Sequence, residues 1–259
     1  MTHLLNCKRD KIDYRDVHYR LFCAAPKPIP RFVDLRPLCS PIDNQYDIGS
    51  CTGNASAGAF EFLELQCLRE KRVDIEVFDP TVFSHVSRLF IYYSEREIEG
   101  TINEDSGAQM RTAIKAMADR GVCREELWKY DRSHLFQKPS EEAYNEANNH
   151  RIVSYYRLNN LNEIRHCLAD GYPIIFGMMI FTSMESEHVA ATGLVPDPTE
   201  QDICIGGHAV LIVGYDDDKK RILVRNSWGT EWGQQGYFWL SYDYVSNPEL
   251  CYDFWTIRR

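Results

Sequence analysis

The chain has no segment long and apolar enough to cross a membrane, and it has no excess of positive charge. Its longest apolar stretch runs from Ile174 to Phe181 and contains a glycine, whereas a membrane-spanning helix needs about 20 apolar residues. The formal net charge is -9, which argues against an anionic partner. We therefore expect neither nucleic acid nor a membrane as the main partner.

A secretory leader is also missing from the first ten residues, where two leucines are followed by Asn6, Cys7 and Lys8. This pattern favours a cytoplasmic location, or one in a virion or host cell. The 9 cysteines form no C-x-x-C pair and no zinc-ribbon spacing. We expect mostly reduced, buried thiols rather than a disulfide framework, and no metal or cofactor.

The chain divides into a charged N-terminal extension, residues 1–30, and a globular region, residues 31–259. The extension ends in PKPIP, residues 26–30, which is a stiff, extended segment. The globular region is mainly helical in its first half and rich in strands in its last third. This order predicts the α+β class, with a helical lobe over about 31–135 and a β-rich lobe over about 136–259.

Hydrophobic periodicity predicts the individual elements. The predicted helices are Cys51 to Glu70, Val82 to Tyr93, Ser106 to Gly121, Pro139 to His150 and Leu161 to Asp170. The predicted strands are 172–180, 208–215, 221–228 and 237–242.

Cys51 stands in the segment DIGSCTGNASAGAF, residues 47–60, at the start of the longest predicted helix. Many small residues follow it, which is typical of a buried helix that other backbones approach closely. If the helix begins at this cysteine, its positive end stabilises a thiolate over a thiol. The segment therefore predicts either a nucleophile or a small buried residue.

Two strands flank the acidic turn that begins at Asp216 and predict a hairpin. With the turn centred on Asp217, His208 on the first strand faces Asn226 on the second. The asparagine oxygen can accept a hydrogen bond from one ring nitrogen and leave the other nitrogen free to act. Trp228 lies on the same face as Asn226 and is expected to cover the pair.

A core histidine satisfied by a neighbouring asparagine is the alternative for the hairpin alone. A cysteine at a helix start adds a nucleophile to a base and an orienting group, which is the general pattern of covalent catalysis. The residues alone do not bring Cys51 to His208, because that contact requires a fold.

Three segments resemble motifs of the papain-like cysteine peptidases, family C1. They are DNQYDIGSC at 43–51, GGHAVLIVGYD at 206–216 and NSWGTEWGQQGY at 226–237. The likeness covers residues 31–257 with the cysteine, histidine and asparagine in the family's order. It is closer to a divergent branch of short bacterial and viral members than to lysosomal cathepsins.

The resemblance implies a papain-like two-lobe fold, with a helical left lobe, an antiparallel β-barrel-like right lobe and the active-site cleft between them. It implies a thiol protease in which Cys51 attacks the peptide bond, His208 is the base and Asn226 orients that base. Gln45 matches the glutamine whose side-chain amide helps to hold the oxyanion. The implied partner is a protein or peptide substrate, and we expect a monomer.

The same resemblance implies four substrate-binding residues. Gly107, in EDSGAQ at 104–109, would bind substrate backbone, and Ala209 would line the second specificity pocket. Gly177 would open the floor of that pocket, and Trp232 would flank the leaving-group side. For each of them the alternative is simple turn chemistry or core packing.

The chain departs from the family pattern beside the nucleophile. Ile48 stands where the family has a second cysteine, and Thr52 stands where it has an aromatic residue. The associated left-lobe disulfide is therefore not expected. Residues 1–30 have two interpretations: a short inhibitory pro-segment that folds over the cleft, which would make the protein a zymogen, or an arm that packs on the back of a lobe.

Three functions remain open from the sequence. The first is a peptidase that hydrolyses peptide bonds through an acyl-enzyme. The second is an exopeptidase or acyl-transferring relative on the same fold. The third is a catalytically silent peptide-binding protein, although such proteins usually lose the nucleophile or the base.

Overall fold

The computed structural model describes residues 3–20, 28–71 and 83–259. The helices are α1 Cys51–Lys71, α2 Arg88–Glu99, α3 Met110–Asp119, α4 Glu141–Ala147, α5 Leu161–Ala169, α6 Glu187–Thr192 and α7 Tyr242–Ser246. The strands are β1 Phe32–Asp34, β2 Ser154–Leu158, β3 Ile174–Phe181, β4 Cys204–Asp216, β5 Arg221–Arg225, β6 Tyr237–Ser241 and β7 Cys251–Arg258.

The strands form one antiparallel sheet in the order β2-β7-β3-β4-β5-β6, with β1 pairing to β4. The sheet is open at both ends rather than closed into a barrel. Helices α1, α2 and α3 pack together, and α1 also packs against β4. The predicted α+β class and papain-like architecture are confirmed. Among the described helices, none has the length and apolarity needed to cross a membrane.

The N-terminal two-thirds of α1 is buried on all sides, from Cys51 to Leu65. Its small residues make this possible. A Cβ at Gly53 would lie 2.6 Å from the carbonyl oxygen of Arg88, and one at Gly58 would lie 3.2 Å from Nε of Arg225. The helix therefore lies close to α2 on one face and to the sheet on another, as its composition predicts.

Two predicted helices begin later than expected. Helix α2 begins at Arg88, because Ser87 is its N-cap and accepts a hydrogen bond from the backbone N–H of Phe90. The predicted start at Val82 lies outside the described residues. Helix α3 begins at Met110 rather than Ser106, because Gly107 has a φ of 63° that a right-handed helix excludes.

Three strands were not predicted: β1, β2 and β7. Strand β1 has only three residues, and none of them is fully buried. Strand β7 carries a buried aspartate, Asp253, with a φ of 55° in the middle of its apolar run. These features remove the alternating pattern from which a strand is recognised.

The predicted pairing of the two hairpin strands, β4 and β5, is wrong by two residues at the end of the hairpin farther from the turn. The turn takes residues 217–220 and is therefore centred later than Asp217. Ile212 pairs with Val224, and an irregularity follows between Ile212 and Gly214. A shift of two residues keeps every side chain on its own face of the sheet. The predicted neighbourhood of His208 and Asn226 therefore survives the error.

Gly100→Ala and Gly121→Ala form a matched pair, because both glycines follow a helix with φ values of 74° and 81°. In the described residues, a Cβ at 100 would meet no atom within 4 Å, whereas one at 121 would lie 1.9 Å from the carbonyl oxygen of Ala147. We expect Gly100→Ala to lower the free energy of unfolding by about 1 kcal/mol. Gly121→Ala should lower it by roughly 3 kcal/mol, because backbone must also move.

Urea unfolding followed by far-UV circular dichroism measures both changes. Equal losses in the two variants would contradict a steric role for the Ala147 carbonyl, because the left-handed backbone is common to both.

Candidate active site

Cys51 is the first residue of α1, and its side chain is completely buried. Its sulfur lies beside the thiol of Cys7, the imidazole of His208 and the backbone N–H of Ala209. These contacts, the Cys7 thiol first, lower the pKa of Cys51 well below that of an ordinary thiol despite the opposing effect of burial. The position at a helix N-terminus acts in the same direction.

His208 lies in β4 opposite Met178 of β3 and is fully buried. Its Nε2 is 2.8 Å from Oδ1 of Asn226, which follows the end of β5. The same oxygen accepts a hydrogen bond from the backbone N–H of Ser227 at 2.9 Å. Because Oδ1 accepts, Nε2 carries the proton, and Nδ1 remains for the sulfur of Cys51.

Two tryptophans cover the histidine–asparagine pair. The ring of Trp228 stacks on that of His208, with centroids 5.0 Å apart and an interplanar angle of 23°. Trp232 meets Trp228 edge to face at 4.9 Å. Trp228 is 8% exposed, so the hydrogen bond beneath it is shielded from water. Trp228 lies where a covering residue was expected, and its role in the reaction stays a prediction.

Gln45 lies in the loop before α1 and is fully buried. Its Nε2 donates to the carbonyl oxygen of Ile48 at 3.1 Å, and its Oε1 accepts from Oγ of Ser227 at 2.7 Å. The backbone N–H of Gln45 also donates to the carbonyl of Ser227 at 2.8 Å. Ser227 therefore ties the loop of Gln45 to that of Asn226.

The predicted substrate-binding residues separate into two groups. Ala209 follows His208 and acts on the sulfur of Cys51, and Trp232 packs on Trp228, which stacks on His208. Gly107 lies against Asn6, which bridges to Gly207 on the other side. Gly177 pairs with Ala209 from the neighbouring strand. The space where its Cβ would stand is filled by the ring of Tyr252, 2.3 Å away. The opening expected at Gly177 is therefore occupied.

Residues 3–20, which we call the arm, cross the cleft between the two lobes. The ring of His3 stacks on Trp228 at 4.7 Å. The backbone N–H of Cys7 donates to the carbonyl oxygen of Gly207, and that of Lys8 donates to Ala108, both at 3.0 Å. Each wall of the cleft thus holds the arm through a backbone hydrogen bond.

Beyond the cleft, a cluster of buried charges fixes the arm. Arg111 of α3 donates to both carboxylate oxygens of Asp16, at 2.8 and 2.5 Å, and Arg157 of β2 donates to the same residue at 3.0 Å. Asp10 accepts a hydrogen bond from Nε1 of Trp255 at 3.0 Å. Burial, with the nearby charge of Asp253, raises the pKa of Asp10 to about 6.

Sequence reasoning missed two residues beside the nucleophile. Cys7 carries no local signal, because it stands in a charged segment without a regular pattern. Glu95 of α2 is fully buried and accepts a hydrogen bond from Oγ1 of Thr52 at 2.5 Å. The sequence signal for Glu95 was an acidic residue inside the apolar run of α2, together with Thr52 at a position where the family has an aromatic residue.

The environment of Glu95 keeps it neutral. Burial raises its pKa to about 8, and the nearby negative charge of Cys51 acts in the same direction. The carboxyl group therefore holds a proton at neutral pH and places no second negative charge beside the sulfur.

A separate group of ionisable side chains comes from α1 and from the segments that precede α1 and α2. Asp43, Glu61 and His85 bring ligand-type atoms within 4.8 Å of one another. The guanidinium groups of Arg88 and Arg225 stand 3.4 and 3.8 Å from the carboxylate of Asp43. These arginines already supply the positive charge that the carboxylates require.

Comparison with known proteins agrees with this geometry. The family model of the papain family cysteine proteases matches residues 87–251. An uncharacterised peptidase C1-like protein of Acanthamoeba polyphaga mimivirus is 42% identical over 249 residues, which cover 90% of this chain and 76% of the viral protein.

Solved structures give the same result. Xylellain, a cysteine protease from Xylella fastidiosa, superposes with a TM-score of 0.84 at 37% identity, covering 98% of this chain and 95% of the bacterial one. Digestive procathepsin L 3 of Tenebrio molitor shares the fold, with a TM-score of 0.70 at 19% identity over 95% of this chain and 75% of its own. The resemblance read from the motifs, including its viral and bacterial character, is confirmed: the chain belongs to the papain family of cysteine proteases and is a cysteine peptidase.

Proposed function

We propose that the protein hydrolyses peptide bonds through a Cys51–His208–Asn226 triad and is restrained by its own arm. The observation that carries the proposal is a helix-terminal sulfur beside a buried imidazole whose Nε2 is held by Asn226 and whose Nδ1 has no other partner among the described residues. A nucleophile, a base and a group that orients the base form the minimal set for covalent acyl transfer.

The first half-reaction transfers the acyl group of the substrate to sulfur. The thiolate of Cys51 attacks the carbonyl carbon of the scissile peptide bond, and a protonated His208 gives its Nδ1 proton to the departing amine. Asn226 fixes the ring through Nε2, so the proton on Nδ1 points toward the sulfur and the leaving group.

The tetrahedral intermediate needs hydrogen-bond donors for its oxyanion. The backbone N–H of Cys51 belongs to the first turn of α1, where no residue of the helix can accept from it. The amide nitrogen of Gln45 has two hydrogens and gives one to Ile48. Its second hydrogen is the donor that we assign to the oxyanion.

The second half-reaction releases the acyl group. With the amine gone, neutral His208 takes a proton from water, which attacks the thioester carbon. The acid departs, and the thiolate of Cys51 is restored beside a protonated imidazole. No external cofactor enters either step.

Binding of a peptide in the cleft would use the groups around the triad. The backbone of Gly107 and the carbonyl of Gly207 are the parts of the two walls that an extended peptide can reach. Trp232 and Ala209 flank the sulfur on the leaving-group and acyl sides. These same walls hold the arm, through Cys7, Lys8 and the close approach of Asn6 to Gly107.

Self-inhibition follows from this overlap, because a substrate and the arm compete for the same hydrogen-bonding groups. The completely buried sulfur of Cys51 supports it. Procathepsin L 3, which is named as a proenzyme, shares the fold. The arm is therefore proposed as a pro-segment rather than as a support on the back of a lobe.

The thiolate can be tested by alkylation of Cys51 at pH 5. Ordinary thiols are protonated at this pH, whereas the lowered pKa of Cys51 shifts it toward the ionised form. In a chain that also carries Asp16→Asn, which weakens the bond of the arm to Arg111, we expect iodoacetamide to modify Cys51 ahead of the exposed Cys204, and a further His208→Ala substitution to abolish this preference. Peptide mass mapping measures both. The triad would be wrong if Cys51 reacted only as the pH approached that of an ordinary thiol.

Gln45→Ala tests the oxyanion donor. Loss of one such donor typically lowers kcat by about 100- to 1000-fold, or about 3 kcal/mol of barrier, while KM changes little. Gln234→Ala is the control, because the side chain of Gln234 bonds to Trp239 away from the sulfur. Steady-state kinetics on a fluorogenic peptide measure both variants. A fall confined to substrate affinity would count against the role.

Asp16→Asn tests the hold of the arm. The variant weakens the bidentate bond with Arg111, and a hydrogen bond to a charged group contributes about 2 kcal/mol. Arm docking should weaken by up to about thirtyfold, and the full chain should cleave peptide faster. Asp13→Asn is the control, because Asp13 pairs mainly with Arg15 within the arm.

The measurement is the initial rate of peptide cleavage by the parent, Asp16→Asn and Asp13→Asn chains. Equal rates for all three chains would show that the Asp16–Arg111 pair does not restrain the enzyme.

A further inference from the structure

Cys7 is the residue of the arm that lies nearest the nucleophile. Its backbone N–H bonds to Gly207 on the β side, and the next backbone N–H, that of Lys8, bonds to Ala108 on the helical side. The cysteine is therefore fixed from both walls of the cleft. A Cβ at Gly207 would lie 2.4 Å from the carbonyl oxygen of Cys7, so the absence of a side chain there permits this close approach.

The side chains of Cys7 and Cys51 belong to the same buried cluster, at 7% and 0% exposure. Each is the strongest influence on the pKa of the other, the Cys7 thiol lowering that of Cys51 and the Cys51 sulfur raising that of Cys7. Neither belongs to a disulfide. The two sulfurs are thus neighbours in a site from which water is largely excluded.

The two sulfurs differ in chemical character. The Cys51 sulfur, burial and the carboxylates of Asp253 and Asp10 raise the pKa of Cys7 well above that of a free thiol. Cys51 has the opposite shift, because it also has His208 and the helix terminus beside it. One thiolate beside one protonated thiol is the arrangement found where a first cysteine is oxidised and a second resolves it.

We infer that Cys7 is a resolving thiol and that a peroxide converts Cys7 and Cys51 into a reversible disulfide, which locks the arm in the cleft. The inference rests on the proposed function, because it takes Cys51 as the nucleophile and the arm as its restraint. The disulfide would prevent the arm from opening, and a thiol reductant would allow the arm to open again.

The chemistry balances in two steps. The thiolate of Cys51 attacks one oxygen of the peroxide, the O–O bond breaks, and with one proton the products are a sulfenic acid and water. The sulfur of Cys7 then attacks the sulfenic sulfur. The S–OH bond breaks, the new S–S bond forms, and the hydroxide leaves as water with the proton of Cys7. Two electrons pass from the two sulfurs to the peroxide.

The burial of Cys7 and Cys51 favours a disulfide between them over reaction with a larger disulfide and over irreversible oxidation of Cys51. A peroxide is small enough to reach a site that a larger disulfide could enter only after the arm opens. Once the sulfenic acid forms, the adjacent Cys7 can react before a second peroxide drives Cys51 to the irreversible sulfinic acid. The crosslink would protect the nucleophile as well as block it.

The experiment compares three full-length chains: the parent, Cys7→Ser and Cys39→Ser. Cys39 is the control, because it is also buried and reduced, and its thiol bonds to Leu35 away from the cleft. Each chain is treated with hydrogen peroxide, blocked with an alkylating reagent and digested without reductant by trypsin and chymotrypsin. The peptides to be identified are MTHLLNCK at 1–8 and DIGSCTGNASAGAF at 47–60.

We expect the parent and Cys39→Ser to give these two peptides joined by a disulfide. Peroxide should remove most of their peptidase activity, and dithiothreitol should return it. Cys7→Ser should give no joined peptide. Its Cys51 should instead accumulate as sulfinic acid, so that dithiothreitol restores only a minor part of the activity.

Two results would overturn the inference. If the parent is active when reduced but forms no joined peptide, or recovers no better than Cys7→Ser, the disulfide is wrong and the proposed function stands. If the joined peptide forms but the reduced parent and Asp16→Asn both fail to cleave peptides, the proposed function is wrong, and the regulatory role fails with it.

Discussion

The contact between the sulfur of Cys51 and the imidazole of His208 is the constraint on which the rest of the structure depends, because the two residues come from different lobes. The helix that carries the cysteine must lie almost directly on the strand that carries the histidine. Alanines and glycines along the first turns of α1 provide that closeness, and at Gly58 a Cβ would already stand 3.2 Å from Arg225. The backbone N–H of Ala209 acts on the same sulfur and helps to lower its pKa. The packing of one helix thus sets the geometry of the nucleophile and its base.

A buried thiolate is costly unless its surroundings favour negative charge. Four features do so here: the helix N-terminus, the imidazole of His208, the thiol of Cys7 and the backbone N–H of Ala209. Two further features avoid competition. The group that orients His208 is an uncharged amide, Asn226, and a buried carboxyl group close to Cys51, that of Glu95, holds its proton at neutral pH because burial raises its pKa to about 8. The negative charge of the site therefore belongs to the sulfur.

The sequence predicts this arrangement to the extent that local patterns determine it. The start of α1, the apolar strands and the neighbourhood of His208 and Asn226 follow from periodicity and from a turn, and a register error of two residues does not move a side chain to the other face. Strand β7 and the ring of Tyr252 above Gly177 could not be predicted, because they depend on pairing between distant segments. The place of Cys7 has the same origin: its neighbours in sequence are charged, and only the fold brings it to the cleft.

The arm is held at two places, and a substrate can compete for only one of them. Around Cys7 the arm is held by backbone carbonyls of Gly207 and Ala108, which a peptide of any sequence can also use. Around Asp16 it is held by the guanidinium groups of Arg111 and Arg157, which lie outside the cleft and which a substrate in the cleft does not need. A substrate can therefore compete for the first part but not for the second. This division explains why the charged cluster, rather than the contacts at the sulfur, would set the stability of the closed state in the reduced protein. A disulfide between Cys7 and Cys51 would fix the part of the arm that substrate can otherwise displace. The contacts at the sulfur, rather than the charged cluster, would then set the stability of the closed state.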